Sequence, residues 1–393
     1  MRVLITVVSG YGHLHPLLPL ARALSDAGHQ VAIATGRELR PRAEAAGFET
    51  YDAGMAPRAA LERLPELFPD QVYNRLAPAE ILGWYLPHLF GETFAPAMLR
   101  DLEPLVRSWR PDVVLHDTWE LAGPIAAASA GIPSVCQTLG LRFDGRILDS
   151  TAAAVAPLWR QHGLDPDPTA GIYRHLCLDT APPSFKPYGA VGGRDVLRRL
   201  RPIAPPPAPG ELLPPWIERE REAPLVYMTL GTNTNSDLSM FRSVIDGLSG
   251  MEVDLLVTIG FGRDPASIGS SAGNAHVENY VPQSLLLPRC SAVICHGGAG
   301  TTLHALALGL PLLILPQGAD QYVFGDLVHA AGAGLVLPPA DVDPSTVQTN
   351  VAALLDEPAH RAGARRLQRE IAAMPGPEEA VCLIEEVVAA GGR

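Results

Sequence analysis

VLITVVSGYGHLHPLLPLARALSDAGHQVAIA, residues 3–34, contains one complete copy of the unit from which the chain is built. Residues 3–8 are an apolar run of strand length, interrupted only by Thr6, and residues 9–13 are a polar, glycine-containing turn. Leu17, Leu20, Ala21 and Leu24 then recur at helical spacing, which predicts a helix from about Pro16. Gly28 supplies its stop, and residues 31–34 return to an apolar strand pattern. Strand, helix and strand in this order form a crossover, and the two strands of a crossover run parallel.

The unit repeats. A helix over about 38–46, a stop at Gly47 and a strand at 48–51 follow; further on come a strand at 113–115, a helix over about 121–130, a stop at Gly131 and a strand at 134–136. Residues 55–100 and 140–195 keep a poorer period and read as insertions that shape a binding surface. Pro202, Pro205, Pro206, Pro207, Pro209, Pro214 and Pro215 then form a stretch that no sheet interior accepts. After it the alternation restarts, with strands at 225–230, 255–259, 293–295, 312–315 and 334–337, a polar turn at 231–235 and a helix ending near Gly247. The expected fold class is α/β, two doubly wound parallel-sheet (Rossmann-like) domains. Their bounds are 1–200, a linker at 201–222, 223–376, and a terminal helix over 377–393 with the option of packing back on the N-terminal domain.

The chain has 393 residues, too many for one ordinary core and suited to two. Apolar residues make up 47% and charged ones 18%, which excludes a disordered or fibrous protein. A formal net charge of -12 argues against nucleic acid or an anionic membrane as partner, since both require a basic face. Cys136, Cys177, Cys290, Cys295 and Cys382 are scattered without a C-x-x-C pair, as expected of reduced core thiols rather than a disulfide frame or a zinc site. The first apolar run lacks a signal peptide's h-region, and the tract at 303–316 falls short of the roughly 18 residues of a membrane span. A cytoplasmic protein without membrane insertion is expected. Lys186 is the only lysine, which leaves little room for Schiff-base or P-loop chemistry.

Residues 296–302, HGGAGTT, follow one strand directly and open a helix. A helix N-terminus offers unpaired N–H groups and partial positive charge, and glycine lets an anion come close, so His296, Gly298, Gly300 and Thr301 suit a phosphate. A plain glycine turn with a threonine cap would look the same. The second polar turn of this domain, with Gly231 and Thr232, also ends a strand, and ligands of open α/β sheets sit at that edge. Two such turns suit one diphosphate. In the first domain His13 follows the first strand and Asp117 follows the strand at 113–115. An imidazole neutral at pH 7 can act as a general base, and a carboxylate can orient it; Asp117 also suits a turn or cap. No dinucleotide fingerprint is complete, since Gly10-Tyr11-Gly12 lacks its third glycine.

Taken together, the ordered motifs resemble the family 1 glycosyltransferases of the GT-B fold, in the bacterial branch that decorates antibiotics and other natural products. They are residues 12–16, 27–31, 111–117, 280–283, 296–302 and 316–321, spread over nearly the whole chain. The resemblance implies two domains facing each other across a cleft, with the acceptor on the first and the nucleotide sugar on the second. It implies that His13 deprotonates an acceptor hydroxyl, that Asp117 stabilises the imidazolium, and that the anomeric centre inverts. It also assigns Asp320 and Gln321 to sugar hydroxyls, and Tyr280, Val281 and Gln283 to the nucleoside, with Tyr280 where many relatives have a stacking tryptophan. Trp84, Tyr85 and Phe90 are candidates for an apolar acceptor pocket or for plain core. The expected partners are a dTDP- or UDP-sugar and a hydrophobic small-molecule acceptor, with a homodimer left open and no cofactor or metal. A sugar-nucleotide epimerase and a non-catalytic helper share this fold. The first leaves a base on the acceptor domain without a task, and the second would have lost part of the donor set.

Overall fold

The computed structural model describes residues 1–67, 80–142, 145–185, 194–218, 222–231, 238–260, 263–268 and 272–391. The chain forms two compact units, one of residues 1–181, 186–201 and 374–393, the other of residues 182–185 and 202–373. The proline-rich stretch after residue 201, expected as a linker, thus groups with the second unit.

The first unit is built on β1 (Arg2–Thr6), β2 (Gln30–Thr35), β3 (Glu49–Asp52), β4 (Val113–Asp117), β5 (Ser134–Gln137), β6 (Leu176–Asp179) and β7 (Leu197–Arg199). They lie in the order β3-β2-β1-β4-β5-β6-β7 and every pair is parallel. Residues of β4 and β5 are buried throughout, which explains why central strands read as continuous rather than alternating apolar runs. The helix Tyr11–Asp26 lays Leu14, Leu17, Leu20, Ala21 and Leu24 on this sheet. The C-terminal helix Pro377–Gly391 joins the same core through Ala380, Val381 and Ile384.

The second unit carries β8 (Leu225–Thr229), β9 (Asp254–Thr258), β10 (Ala275–Glu278), β11 (Ala292–Cys295), β12 (Leu312–Ile314) and β13 (Gly334–Val336). Their order is β10-β9-β8-β11-β12-β13, again all parallel. In each sheet the strand order reverses at one point, between β1 and β4 and between β8 and β11. Open α/β sheets bind ligands at such switch points, outside the carboxyl ends of the strands, because the flanking helices leave on opposite faces and open a crevice there.

Three expectations need correction. The first helix begins at Tyr11, not near Pro16, so Gly12, His13 and His15 lie on its first turns rather than on a loop. Proline at 16 looks like a helix start because its missing N–H costs nothing there, yet Pro16 and Pro19 both sit inside this helix. The stretch 140–195, expected to be aperiodic, contains the helix Gly145–Gln161 and the strand β6. That helix buries Ile147, Leu148, Thr151, Ala154, Val155, Leu158 and Trp159, a period partly hidden by its alanines and Pro157. Strand β10 also went unpredicted, because its four half-buried residues include only Ala275 and Val277 as apolar positions.

Candidate functional site

In the first unit, the sequence places one candidate group on each side of the switch point. β1 runs into the helix Tyr11–Asp26, capped by the extended backbone of Gly10, and His13 stands on its first turn. Asp117 is the last residue of β4 and is fully buried. His13 Nδ1 lies 3.1 Å from Asp117 Oδ2, and the His13 side chain keeps 18% exposure while Asp117 has none. Asp117 Oδ1 accepts the backbone N–H groups of Trp119, at 2.7 Å, and Glu120, at 3.2 Å. A carboxylate held on three sides has little freedom to turn. An ionised carboxylate can only accept, so His13 Nδ1 carries the proton and Nε2 presents its lone pair. That is the tautomer a general base needs.

The sequence reading missed the support behind this pair. Glu120, 1% exposed, accepts the N–H groups of Ala122 and Gly123, each at 2.9 Å, and the hydroxyl of Thr6 at the end of β1. Burial pushes its carboxyl up to about 7, against these hydrogen bonds. Nothing in the local sequence marks Thr6 and Glu120 as partners, since 114 residues separate them. The neighbouring His116 points to the other face of β4; its Nδ1 donates to the Asp117 carbonyl at 2.8 Å, and burial lowers its pKa.

Of the proposed acceptor residues, the structure brings Phe90 to His13. Its ring centroid is 5.6 Å from that of His13, and it stacks on Trp119 at 5.0 Å and on Phe94 at 5.3 Å. Phe90 belongs to the π-helical stretch Leu89–Phe94, where Gly91 lets the backbone approach the helix Gly145–Gln161: a Cβ on Gly91 would stand 2.8 Å from Ala154 Cβ. Trp84 and Tyr85 lie in an earlier π-helical stretch, Ile81–Tyr85; Trp84 packs on His88 at 4.7 Å and Tyr85 is buried. His15 faces Arg42 Nε at 3.3 Å and Tyr11, a structural placement.

In the second unit, Gly231 follows β8 and His296 follows β11, the two strands that flank its switch point. The His296 imidazole fills the space beside two of the three glycines expected to hold phosphate. A Cβ on Gly231 or on Gly298 would stand 2.7 Å from His296 Cε1. At 298 glycine is required by the imidazole, and at 231 the ring adds to a backbone at φ +79° that already favours glycine. Gly297, with φ +88°, is required for a different reason, since a Cβ there would lie 2.9 Å from the Gln321 carbonyl oxygen and from Ile314. Gly300 is different: nothing lies within 4 Å of the place its side chain would take. It sits in the first turn of the helix Ala299–Ala307, whose leading amides have no partners within the helix. Burial holds His296 down to about 4, so it is a neutral imidazole at pH 7, and its Nδ1 is buried without a partner. Thr232 lies outside the described residues.

Gln283 opens the short helix Gln283–Leu286 and bridges two elements. Its Nε2 donates to Thr301 Oγ1 at 3.0 Å and to Tyr227 Oη at 3.3 Å, and Tyr227 in turn meets Thr258 Oγ1 at 2.8 Å. The chain from Thr258 through Tyr227 and Gln283 to Thr301 was not foreseen, since Tyr227 reads from the sequence as one more strand residue. Val281 is buried, and Tyr280 is half-buried just after β10. Asp320 caps the helix Gln321–Ala330 without a side-chain hydrogen bond to it, and Ala319 before it is held at φ +51°. Gln321 Oε1 accepts the N–H groups of Gln317, at 2.7 Å, and Gly318, at 3.1 Å, so that oxygen fixes its own loop. Among the described residues no three His, Cys, Asp or Glu side chains gather as a metal site requires, and no helix is long and apolar enough to cross a membrane.

Comparison with known proteins covers the same elements. The family model "Erythromycin biosynthesis protein CIII-like, N-terminal domain" matches residues 22–231, and its C-terminal counterpart matches residues 242–387. The L-demethylnoviosyl transferase of Streptomyces niveus is 32% identical over 386 residues, 96% of each chain. The 3-alpha-mycarosylerythronolide B desosaminyl transferase of Saccharopolyspora erythraea is 28% identical and spans 100% of this chain and 99% of its own. Among solved structures, the spinosyn rhamnosyltransferase SpnG in complex with thymidine diphosphate superposes with a TM-score of 0.80 at 29% identity, over 98% of this chain and all of its own. With two models and a full-length relative in agreement, the chain belongs to the erythromycin biosynthesis protein CIII-like family and is a glycosyltransferase.

Proposed function

We propose that this glycosyltransferase moves a sugar from a thymidine diphosphate sugar to a hydroxyl of a hydrophobic, polyketide-type acceptor, inverting the anomeric centre and using no metal. The observation that carries the reading is the 3.1 Å contact of His13 with Asp117 at the switch point of the first sheet. Thymidine as the nucleoside rests on the relative solved with thymidine diphosphate. A macrocyclic or polycyclic acceptor rests on the names of the relatives and on the stacked rings of Phe90, Phe94 and Trp119 beside His13.

In this reading His13 Nε2 takes the proton of the acceptor hydroxyl as its oxygen attacks the anomeric carbon. The bond from that carbon to the β-phosphate oxygen breaks, and thymidine diphosphate leaves with the electron pair. Asp117 stabilises the imidazolium that forms, and a base positioned in this way contributes about 10²–10⁴-fold. On the donor side, the negative charge that grows on the phosphate meets the first-turn amides near Gly300, the Thr301 hydroxyl and a neutral His296 that donates a hydrogen bond. Helix-end stabilisation of this kind does the work often given to a divalent cation. Asp320 is assigned to the sugar hydroxyls, and Tyr280 and Val281 to the nucleoside. Gln283 serves the phosphate side through Thr301 as well as the ribose. A cytoplasmic enzyme agrees with the intracellular supply of nucleotide sugars.

The test is direct transfer. The protein is incubated with dTDP-glucose, UDP-glucose and a panel of polyketide and flavonoid acceptors, and products are read by mass spectrometry and by the anomeric coupling constant. Inverted glycoside from the thymidine donor is the expected result. Retained configuration, or transfer that requires added divalent metal, overturns the mechanism.

A further inference from the structure

We propose that Glu120 is a positioning residue for the His13–Asp117 pair, tying the end of β1 to the turn after β4 through its hydrogen bond from Thr6. The proposal rests on reading that pair as the base.

Three observations carry it. First, Asp117 and Glu120 cap one turn twice. Asp117 Oδ1 takes the N–H groups of Trp119 and Glu120, and Glu120 takes those of Ala122 and Gly123, so no carboxylate oxygen in the turn is idle. Second, the Glu120 carboxylate reaches across the switch point to the Thr6 hydroxyl, and both residues are buried, at 1% and 0% exposure. Thr6 ends the strand that leads into the helix of His13, and Asp117 ends the neighbouring strand, so the bond joins the two supports of the pair. Third, the space is cut to this contact. A Cβ on Gly123 would stand 2.5 Å from both Thr6 Oγ1 and Glu120 Oε2, so glycine at 123 leaves room for the tie.

The same turn sets Trp119, whose ring stacks on Phe90 beside His13. Glu120 itself touches neither His13 nor the apolar rings in any of these contacts. Its influence runs through the turn whose N–H groups hold Asp117, and its loss loosens that turn and lets the Asp117 carboxylate rotate. A rotated carboxylate holds the Nδ1 proton less firmly, and the imidazole then populates the tautomer with its proton on Nε2, which cannot act as a base.

Glu120→Gln preserves shape and the contact with Thr6 but replaces an acceptor oxygen by an NH2 group that faces a backbone N–H. The full chain is labelled with 15N-histidine, His13 is assigned by comparison with His13→Gln, and its tautomer is read from the ring nitrogen shifts. Wild type is expected to show the Nδ1-protonated form, and Glu120→Gln a mixed population. Transfer from dTDP-glucose is expected to fall 10- to 100-fold in kcat, while the dissociation constant for thymidine diphosphate stays unchanged. In a His13→Ala background the Glu120 change is expected to cost nothing more. Should Glu120→Gln fail to fold, Thr6→Val is expected to reproduce the tautomer change and Thr6→Ser to restore the wild-type spectrum. A folded Glu120→Gln, or Thr6→Val, with the wild-type tautomer and rate overturns the proposal. If instead His13→Ala transfers at the wild-type rate, the reading of the base fails, and the tautomer spectrum still decides whether Glu120 positions the ring.

Discussion

The His296 imidazole occupies the space that a side chain on Gly298 would need, with Cε1 2.7 Å from that Cβ position. Gly298 has φ -65° and ψ 140°, a conformation open to any residue, so only the imidazole forbids a larger one. Gly298→Ala must push the ring out of a slot that Gly231 closes on its other flank. Overpacking of this kind costs about 1–3 kcal/mol, and the same loss taken from donor binding gives an expected fall in thymidine diphosphate affinity of roughly 5- to 150-fold by calorimetry. Unchanged affinity would remove the ring from the donor site.

Gly300→Ala separates packing from ligand contact. The position is helical and open, so alanine is expected to raise stability by up to ~1 kcal/mol by its better helix propensity. Thymidine diphosphate is nevertheless expected to bind more weakly, because the added methyl stands where the proposed donor site takes the phosphate. Denaturant midpoints and binding isotherms on the same preparation check both halves. Raised stability with full affinity would place the phosphate elsewhere.

The buried histidines His296 and His304 and the buried carboxyl of Glu120 predict opposite pH responses. Burial holds His296 and His304 down to about 4, below their unfolded value, so the folded second unit binds fewer protons than its unfolded chain. Their share of its stability is therefore fully present above about pH 6.5 and is lost as pH falls towards 4. Glu120 is raised to about 7, so its share of the first unit's stability is present below about pH 4.5 and is lost as pH rises through 7. Urea melts from pH 4.5 to 7.5 are expected to show an acid-labile transition that His304→Gln flattens. They are also expected to show a second transition that Glu120→Gln makes less sensitive to rising pH. An acid-labile transition that His304→Gln leaves unaltered would contradict the assignment of His304.

Tyr227→Phe removes the hydroxyl that links Thr258 to Gln283, while the ring stays in the core. Losing one such buried hydrogen bond costs about 1 kcal/mol. Gln283 then holds Thr301 less firmly, and KM for the nucleotide sugar is expected to rise several-fold with little change in kcat. A change in kcat alone would detach Tyr227 from donor binding.

Much of this was legible in the sequence, and the parts that were not have a common cause. Central strands announced themselves as apolar runs, and glycines such as Gly28, Gly47 and Gly131 marked where helices stop, because those signals are local. His13, Asp117 and residues 296–302 could be paired because each follows a strand. The Thr6–Glu120 and Tyr227–Gln283–Thr301 links join residues far apart in sequence and leave no local pattern. The glycines at 231 and 298 were singled out as a phosphate grip, yet the His296 ring stands beside both and Gly231 also has φ +79°, so glycine is called for there without a ligand. Pro16 misled because its preference for helix starts is a tendency, which the packing of Leu14 and Leu17 on the sheet overrides.

The account stands or falls on His13. The decisive measurement is single-turnover transfer from saturating dTDP-glucose by His13→Ala, with thymidine diphosphate affinity measured alongside. The account predicts a rate lower by about 10²–10⁴-fold with affinity unchanged. A His13→Ala protein that transfers at the wild-type rate would contradict it.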